Sequence, residues 1–125
     1  MSVELNHTIV ATRDKQAGAR FLADVLGLPQ PQNFGPFAVV TTANGVSMDY
    51  METDEVVSQH YAFLISEDEF DAVAGRLAER GIETWADPGR RRPGHNTNDG
   101  GRGLYFDSPE GHNLEVLTRP YGSGA

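Results

Sequence analysis

Hydrophobic and polar residues alternate in several short segments of the chain, and this period of two predicts strands. The first segment, residues 3–11, places His7 on the same face as Ile9. Two further segments, 37–42 and 46–51, are joined by an Asn-Gly turn, which is a strong signal for a hairpin. With the helix described next, the first half of the chain is predicted to be a βαβββ module.

Two other segments carry apolar residues three and four positions apart, which is typical of helices with one buried face. The first helix is predicted to begin after Asp14 and to end at Gly27. The second is predicted to begin after Ser66, with Glu69 three residues later as the partner in a capping box, and to end at Gly81.

The second half of the chain is predicted to contain a strand at 60–65, a short strand at 83–85 and two closing strands around the turn Ser108-Pro109-Glu110-Gly111. Glu115 lies in the last of these strands and points away from its apolar neighbours. A buried carboxylate needs a partner, because burying an unpaired charge is costly. The final residues, 122–125, are expected to be frayed.

The two halves resemble each other, which indicates an internal repeat. His7 in the first strand matches His60 at the start of the second half, and Asp49 matches Glu115. The spacing grows in the second half, which fits an insertion near residues 88–101. Each half therefore contributes one histidine and one carboxylate at equivalent strand positions.

Composition limits the classes of function. At 125 residues the chain is expected to be one domain with a sizeable core. The net charge of −8, from 18 acidic and 10 basic residues, argues against a nucleic-acid surface. The absence of cysteine excludes disulfides and thiolate chemistry. With no apolar run long enough for a membrane span and no signal peptide, a soluble cytoplasmic protein is expected.

Four motifs resemble the vicinal oxygen chelate superfamily, which includes glyoxalase I, fosfomycin-modifying enzymes, bleomycin-resistance proteins and extradiol dioxygenases. They are Leu5-Asn6-His7, Phe21-Leu22-Ala23-Asp24-Val25-Leu26-Gly27-Leu28, His60-Tyr61-Ala62-Phe63 and the segment from Tyr105 to Glu115. The resemblance implies an α+β fold with two βαβββ modules, residues 1–53 and 58–121, within a single domain spanning 1–125. These modules would form a half-open mixed β-barrel with the helices on its outer face.

The resemblance also implies a divalent metal held by His7, His60 and Glu115. Two imidazoles and a carboxylate suit Fe²⁺, Mn²⁺, Ni²⁺, Co²⁺ or Zn²⁺. Open coordination positions would accept two substrate oxygens, and the metal would stabilise an enolate or oxyanion. Ile9 stands where fosfomycin-modifying relatives carry a phosphonate-binding Thr, so no single subfamily fits.

Several residues have more than one interpretation. A lone histidine on a strand is usually structural, so only the set of three favours a metal site. Asp49 is a metal ligand, a base that removes a proton next to a carbonyl, or a polar wall residue. Tyr105 either bonds substrate through its hydroxyl or lines the barrel.

The long loop 87–101 and the residue His112 also need an interpretation. His112 lies three residues from Glu115, on the opposite strand face, and is expected to be structural. Arg90, Arg91, Arg92, His95, Asn96 and Arg102 would meet an anionic substrate if the loop covers the site. A solvated, mobile loop is the interpretation that we favour.

The leading hypothesis is a small metalloenzyme of the glyoxalase or dioxygenase type, acting on a small-molecule substrate that is chelated through adjacent oxygens. The main alternative is a metal-free protein that sequesters a drug, as bleomycin-resistance proteins do. A sensing role is a third possibility without specific support. The resemblance implies a homodimer, in which His7 meets His60 and Glu115 of the same chain or of the other one.

Overall fold

The computed structural model describes residues 2–124 as two compact units, and the boundary between them in the sequence lies between Val57 and Ser58. Each unit contains one α-helix and one mixed β-sheet. The predicted α+β class and the two-module organisation are therefore confirmed. No helix among residues 2–124 is long and apolar enough to cross a membrane.

The first unit has the order βαβββ and forms a four-stranded sheet. Its elements are β1 (His7–Thr12), α1 (Lys15–Leu26), β2 (Gln32–Phe34), β3 (Phe37–Thr41) and β4 (Ser47–Glu52). The strands lie in the order β1-β4-β3-β2, with β1 parallel to β4 and the other pairs antiparallel. The predicted βαβββ order requires a strand between α1 and β3, but the sequence pattern did not locate it, because the three residues of β2 are all exposed and show no alternation of burial.

The second unit forms a three-stranded sheet around the final strand. Its elements are β5 (His60–Leu64), α2 (Glu67–Glu79), a 3₁₀ turn (Asn98–Gly100), β6 (Gly103–Asp107) and β7 (Asn113–Leu117). Strand β7 is central, parallel to β5 and antiparallel to β6. The short strand predicted at 83–85 is instead reduced to isolated bridges at Trp85, whose N–H and C=O both bond to Tyr105.

Both helices begin and end as the sequence predicts. The carboxylate of Asp14 accepts a hydrogen bond from the N–H of Ala17 at 3.0 Å, and Gly27 ends α1 in the left-handed region with φ of 70°. Helix α2 begins with a complete capping box. The Ser66 hydroxyl accepts from the Glu69 N–H at 3.1 Å, and the Glu69 carboxylate accepts from the Ser66 N–H at 2.8 Å.

Each unit buries its own set of apolar side chains. Helix α1 packs on β3 and β4. The buried residues of the first unit include Val10, Leu22, Val25, Val40, Met48 and Tyr50. Those of the second unit include Phe70, Val73, Leu77, Leu104, Phe106, Leu114 and Val116. The buried strand residues among these alternate along their strands with polar residues. Alternation therefore places His7, Asp49, His60 and Asn113 on the sheet faces that point away from the apolar cores.

Candidate metal centre

His60 and Glu115 contact each other at one end of the second sheet. Glu115 lies beside Ala62 in the parallel register, two positions after His60 on β5. The Glu115 side chain is long enough to reach back, and its Oε1 lies 3.0 Å from Nε2 of His60. Glu115 is 1% exposed, whereas the side chain of His60 is 49% exposed. The buried Glu115 carboxylate, which was expected to need a partner, therefore has His60 as its partner.

The tautomer of His60 follows from its other ring nitrogen. Nδ1 lies 3.0 Å from the backbone carbonyl oxygen of Asn113 and 3.0 Å from the Oδ1 atom of the same residue. A carbonyl oxygen only accepts hydrogen bonds, so Nδ1 carries a proton. In a neutral imidazole, Nε2 then presents a lone pair to the Glu115 carboxylate. Two electron-rich atoms facing each other at this distance need a proton or a metal cation between them.

This pair fits the donor set of a divalent metal site. An imidazole that binds a metal through one nitrogen usually donates its other N–H to a carbonyl or a carboxylate, which fixes the ring. His60 shows that arrangement through Asn113. His60 Nε2 and Glu115 Oε1 are therefore suitable ligands for a borderline cation.

Two tyrosines complete the surroundings of Glu115. The Tyr121 hydroxyl donates a short hydrogen bond to Oε2 of Glu115, and the Tyr105 hydroxyl lies 2.8 Å from that of Tyr121. The Tyr105 ring stacks on His60, with 5.9 Å between the ring centroids and 27° between the planes. Burial is the main cause that raises the pKa of both tyrosines, and the bond to Glu115 raises the pKa of Tyr121 further. Both hydroxyls therefore stay protonated near neutral pH.

The first unit presents His7 and Asp49 beside an open cavity. His7 is exposed, and its Nδ1 lies 2.7 Å from the side-chain oxygen of Asn6. Asp49 accepts a hydrogen bond of 2.8 Å from the hydroxyl of Ser47. Both candidates line a cavity of about 650 Å³ that also includes Phe34.

The strand registers support the repeat predicted from the sequence. In the first unit His7 pairs with Ser47 and Ile9 with Asp49. In the second unit His60 pairs with Asn113 and Ala62 with Glu115. Asp49 therefore holds the same position relative to His7 that Glu115 holds relative to His60.

Three of the five candidate site residues, His60, Glu115 and Tyr105, meet within the second unit. Asp49 and His7 line the cavity of the first unit. Across residues 2–124, no group of three or more His, Cys, Asp or Glu side chains is arranged as a metal cluster. The ligand set His7, His60 and Glu115 therefore stays a prediction.

The sequence interpretation missed Tyr121. This residue lies six positions after Glu115, in a segment with no periodic pattern, and was not considered for the site. The expectation of a frayed end is wrong for residues 122–124, because Asp99 accepts hydrogen bonds from the N–H groups of Gly122 and Gly124 at 3.1 and 3.2 Å. Ala125 lies outside the described residues. A lone tyrosine among small residues near the chain end was the only available signal.

Residues 88–93 of the arginine-rich loop are exposed, as the solvated interpretation predicts, and two arginines of this region also make contacts within their own unit. The guanidinium of Arg90 donates to Asp107 at 3.0 Å, and that of Arg102 donates to Glu67 and Asp71 at 2.8 and 2.9 Å. The hydrogen bonds from these carboxylates are the main cause that raises the pKa of each arginine. These two cations are therefore already paired with carboxylates.

Other polar residues of the same unit are held in structural roles. Asn96 is buried, and its amide donates to the carbonyl of Ala86 at 2.9 Å. The ring of His95 packs edge-on against Phe70. His112 is 1% exposed and accepts a hydrogen bond from the N–H of Gln59 at 3.0 Å, as its structural interpretation predicts.

Comparison with known proteins identifies the family. The family model of the Glyoxalase/Bleomycin resistance protein/Dioxygenase superfamily matches residues 4–116. The chain is 29% identical to glutathione transferase FosA of Serratia marcescens over 123 residues, covering 93% of this chain and 81% of that protein.

Two solved structures are more similar. Oxidase ChaP-H2 is 61% identical with a TM-score of 0.97 and full coverage of both chains. Oxidase ChaP-H1 is 61% identical with a TM-score of 0.95, covering 97% of this chain and 99% of that chain. The relatives named here are enzymes, a transferase and two oxidases. The chain therefore belongs to the Glyoxalase/Bleomycin resistance protein/Dioxygenase superfamily.

Proposed function

We propose that this protein is a metal-dependent oxidase that acts on a small organic molecule with two adjacent oxygen atoms. The observation that carries the proposal is the 3.0 Å approach of His60 Nε2 to Glu115 Oε1, with the proton of His60 held on Nδ1. The resemblance assigns His7 as the third ligand, supplied by the same chain or by a second copy in a homodimer. The similarity to two oxidases favours oxidation, with dioxygen as the electron acceptor, over group transfer.

The residues of the site have distinct roles in this proposal. A bound divalent metal would supply Lewis-acid stabilisation of an enolate or oxyanion on the substrate. His60 and Glu115 would hold the cation, while the carbonyl of Asn113 keeps the imidazole in the correct tautomer. The ring of Tyr105 restrains His60 by stacking. Asp49 accepts a proton from a substrate carbon next to a carbonyl group or from a substrate hydroxyl.

The cavity of the first unit supports an uncharged, partly aromatic substrate. Its walls combine two phenylalanines with amide and hydroxyl groups and contain no lysine or arginine; the residues are Asn6, His7, Pro29, Gln30, Gln32, Asn33, Phe34, Phe37, Val39, Thr41, Ser47 and Asp49. A small organic ligand in such a site gains affinity from apolar contact and orientation from a few polar groups. Arg90 and Arg102 already face carboxylates, so they add no support for an anionic substrate.

Metal analysis of the purified protein is the direct test. We expect one equivalent of a divalent ion, which a chelator removes and which the His60→Ala variant does not retain. The chelated protein should regain activity with one of Fe²⁺, Mn²⁺, Co²⁺, Ni²⁺ or Zn²⁺. A chain that binds no metal but sequesters a drug in the presence of chelator would support the bleomycin-resistance alternative instead.

The type of reaction needs a second measurement. With a catechol or another substrate bearing adjacent oxygens, the metal-loaded enzyme should consume dioxygen in an oxygen electrode. Consumption of glutathione with no uptake of dioxygen would contradict an oxidase and favour the transferase activity named for the Serratia marcescens relative.

A further inference from the structure

The two oxygens of Glu115 have different partners. Oε1 faces His60, whereas Oε2 accepts the hydrogen bond from Tyr121. Since a carboxylate can only accept, the Tyr121 hydroxyl directs its proton to Glu115. The Tyr105 hydroxyl lies 2.8 Å from that of Tyr121 and also interacts with the Glu115 carboxylate. Both tyrosines therefore face Glu115, and Tyr121 donates directly to Oε2.

Tyr121 belongs to the C-terminal segment 118–124, whose start is fixed against the loop before β6. The N–H of Thr118 donates to the carbonyl of Arg102 at 2.9 Å, and the hydroxyl of Thr118 accepts from the N–H of Arg102 at 2.8 Å. Gly101 allows this close approach, because a Cβ atom there would lie 2.5 Å from the Thr118 hydroxyl oxygen.

The far end of the same segment is held by Asp99. One oxygen of this carboxylate accepts from the N–H groups of Gly122 and Gly124, which flank Ser123. Asp99 has a φ of 58°, in the left-handed region that aspartate tolerates better than most residues do. The segment is therefore anchored on both sides of Tyr121, so the hydroxyl of an otherwise exposed ring is kept on Glu115.

We propose that Tyr121 is a positioning residue that fixes one oxygen of the Glu115 carboxylate, so that the other oxygen stays directed at His60 and at a bound cation. The inference rests on the proposed metal-dependent function and extends it to a residue outside the ligand set. Without the Tyr121 hydroxyl, the buried carboxylate would lose the hydrogen bond that Tyr121 donates to Oε2 and could rotate away from His60. Partners of metal ligands commonly change metal affinity in this way.

Titration of the metal-free protein with Co²⁺ alone tests this role. We expect Tyr121→Phe to raise the dissociation constant for Co²⁺ by about 10-fold. The matched control is Tyr61→Phe, which removes a hydroxyl from the opposite face of β5 and should leave the affinity for Co²⁺ unchanged. Circular dichroism and the melting temperature of the metal-free variants should show that both remain folded.

Asp99, which anchors the segment 118–124, gives a second, independent pair of variants. Asp99→Gly keeps a residue suited to positive φ but removes the acceptor, so it should weaken Co²⁺ binding by a few-fold. Asp99→Asn keeps an acceptor oxygen and should restore the wild-type affinity. If Asp99 only stabilised the fold, Asp99→Gly would lower the melting temperature and leave the affinity for Co²⁺ unchanged. That result would contradict a positioning role.

The outcomes separate this inference from the proposed function. Wild-type protein that binds Co²⁺ tightly, with Tyr121→Phe equal to wild type, would overturn the role of Tyr121 and leave the metal site intact. Wild-type protein that fails to bind Co²⁺ would overturn both. Weaker binding by Tyr121→Phe, with Tyr61→Phe unaffected, supports the inference.

Discussion

The two units place a histidine and a carboxylate at matching strand positions, yet they use them differently. In the second unit, Glu115 reaches diagonally across two parallel strands to His60. In the first unit, Asp49 bonds to Ser47 on its own strand, and His7 bonds to its neighbour Asn6. The diagonal distance between the two strand positions is too long for most short side chains to span. Glutamate has one methylene more than aspartate and therefore reaches further. Carboxylate length therefore separates a preformed histidine–carboxylate pair in the second unit from two side chains that do not contact each other in this way in the first unit.

The neighbours of the two histidines reinforce this difference. Nδ1 of His60 bonds to a backbone carbonyl, whose position is fixed by the sheet, whereas Nδ1 of His7 bonds to the exposed side chain of Asn6. The imidazole of His60 is consequently oriented before any metal binds. If a metal binds, we expect His60 and Glu115 to contribute more to its affinity than His7 does.

Neutralising Glu115 and Asp49 in separate variants should give the largest difference between the two units. Glu115→Gln should lower the affinity for a divalent metal by about 100-fold or more, because it removes a ligand and not merely a ligand's partner. Asp49→Asn should keep the metal but lower kcat by about 100-fold or more if Asp49 is the base. Calorimetric metal titration with steady-state kinetics measures both. Loss of metal in Asp49→Asn would show that Asp49 is a ligand instead.

Mixing two inactive variants tests which chain supplies His7. If a site in a homodimer takes His7 from one copy and His60 from the other, mixed dimers of His7→Ala and His60→Ala contain one intact site each. Random exchange of subunits should then restore about a quarter of the wild-type sites. Sites built within one chain would give no recovery. Activity after unfolding and refolding the mixture, compared with each variant alone, is the measurement.

The N-caps of the two helices should differ by a smaller amount in their contribution to the free energy of unfolding. Ser66→Ala removes half of a capping box, and Asp14→Ala removes a single cap on α1. Each should lower the free energy of unfolding by about 1 kcal/mol, with the larger loss expected at Ser66. Urea unfolding followed by circular dichroism measures this. Equal losses would show that the reciprocal bond from Glu69 adds nothing.

Acid should affect the start of α2 more than that of α1, and this is the smallest expected effect. The Ser66 N–H is the main cause that lowers the pKa of Glu69 below 4.5, and hydrogen bonds from Thr118 and Arg102 lower that of Glu67. A lowered pKa in the folded state stabilises the fold above the unfolded value, and this stabilisation is lost as pH falls through the folded value. The first turn of α1 has no acidic residue, and its only carboxylate at this end is the N-cap Asp14.

The measurement is urea unfolding of wild type and Glu69→Gln at pH 7 and at pH 3. The variant should lose less stability than wild type between these two values, since it cannot be protonated at this position. An identical loss of stability in both proteins would show that Glu69 does not contribute to the destabilisation at low pH.

Local signals in the sequence predicted most of the elements. The cap at Asp14, the capping box at Ser66 and the alternation in the strands all act over a few residues, so they can be recognised without tertiary structure. The strands β2 and 83–85 were harder, because one is short and exposed and the other pairs only through Trp85. The repeat identified His60 and Glu115 because it matches them to His7 and Asp49 at equivalent strand positions.

The sequence alone therefore determined the α+β class, the two modules, the superfamily motifs and the histidine and carboxylate candidates of each half. The elements follow from short-range periodicity and capping, which depend on neighbouring residues, and the matched candidates follow from the internal repeat. The superfamily and the metal-ligand assignment follow from the resemblance of the motifs. Only the tertiary structure decided that Tyr121 bonds to Glu115, that Asp99 anchors the chain end 23 and 25 residues away, and that the loop arginines pair with carboxylates. Such contacts depend on long-range hydrogen bonds between aperiodic segments, and no local pattern encodes them.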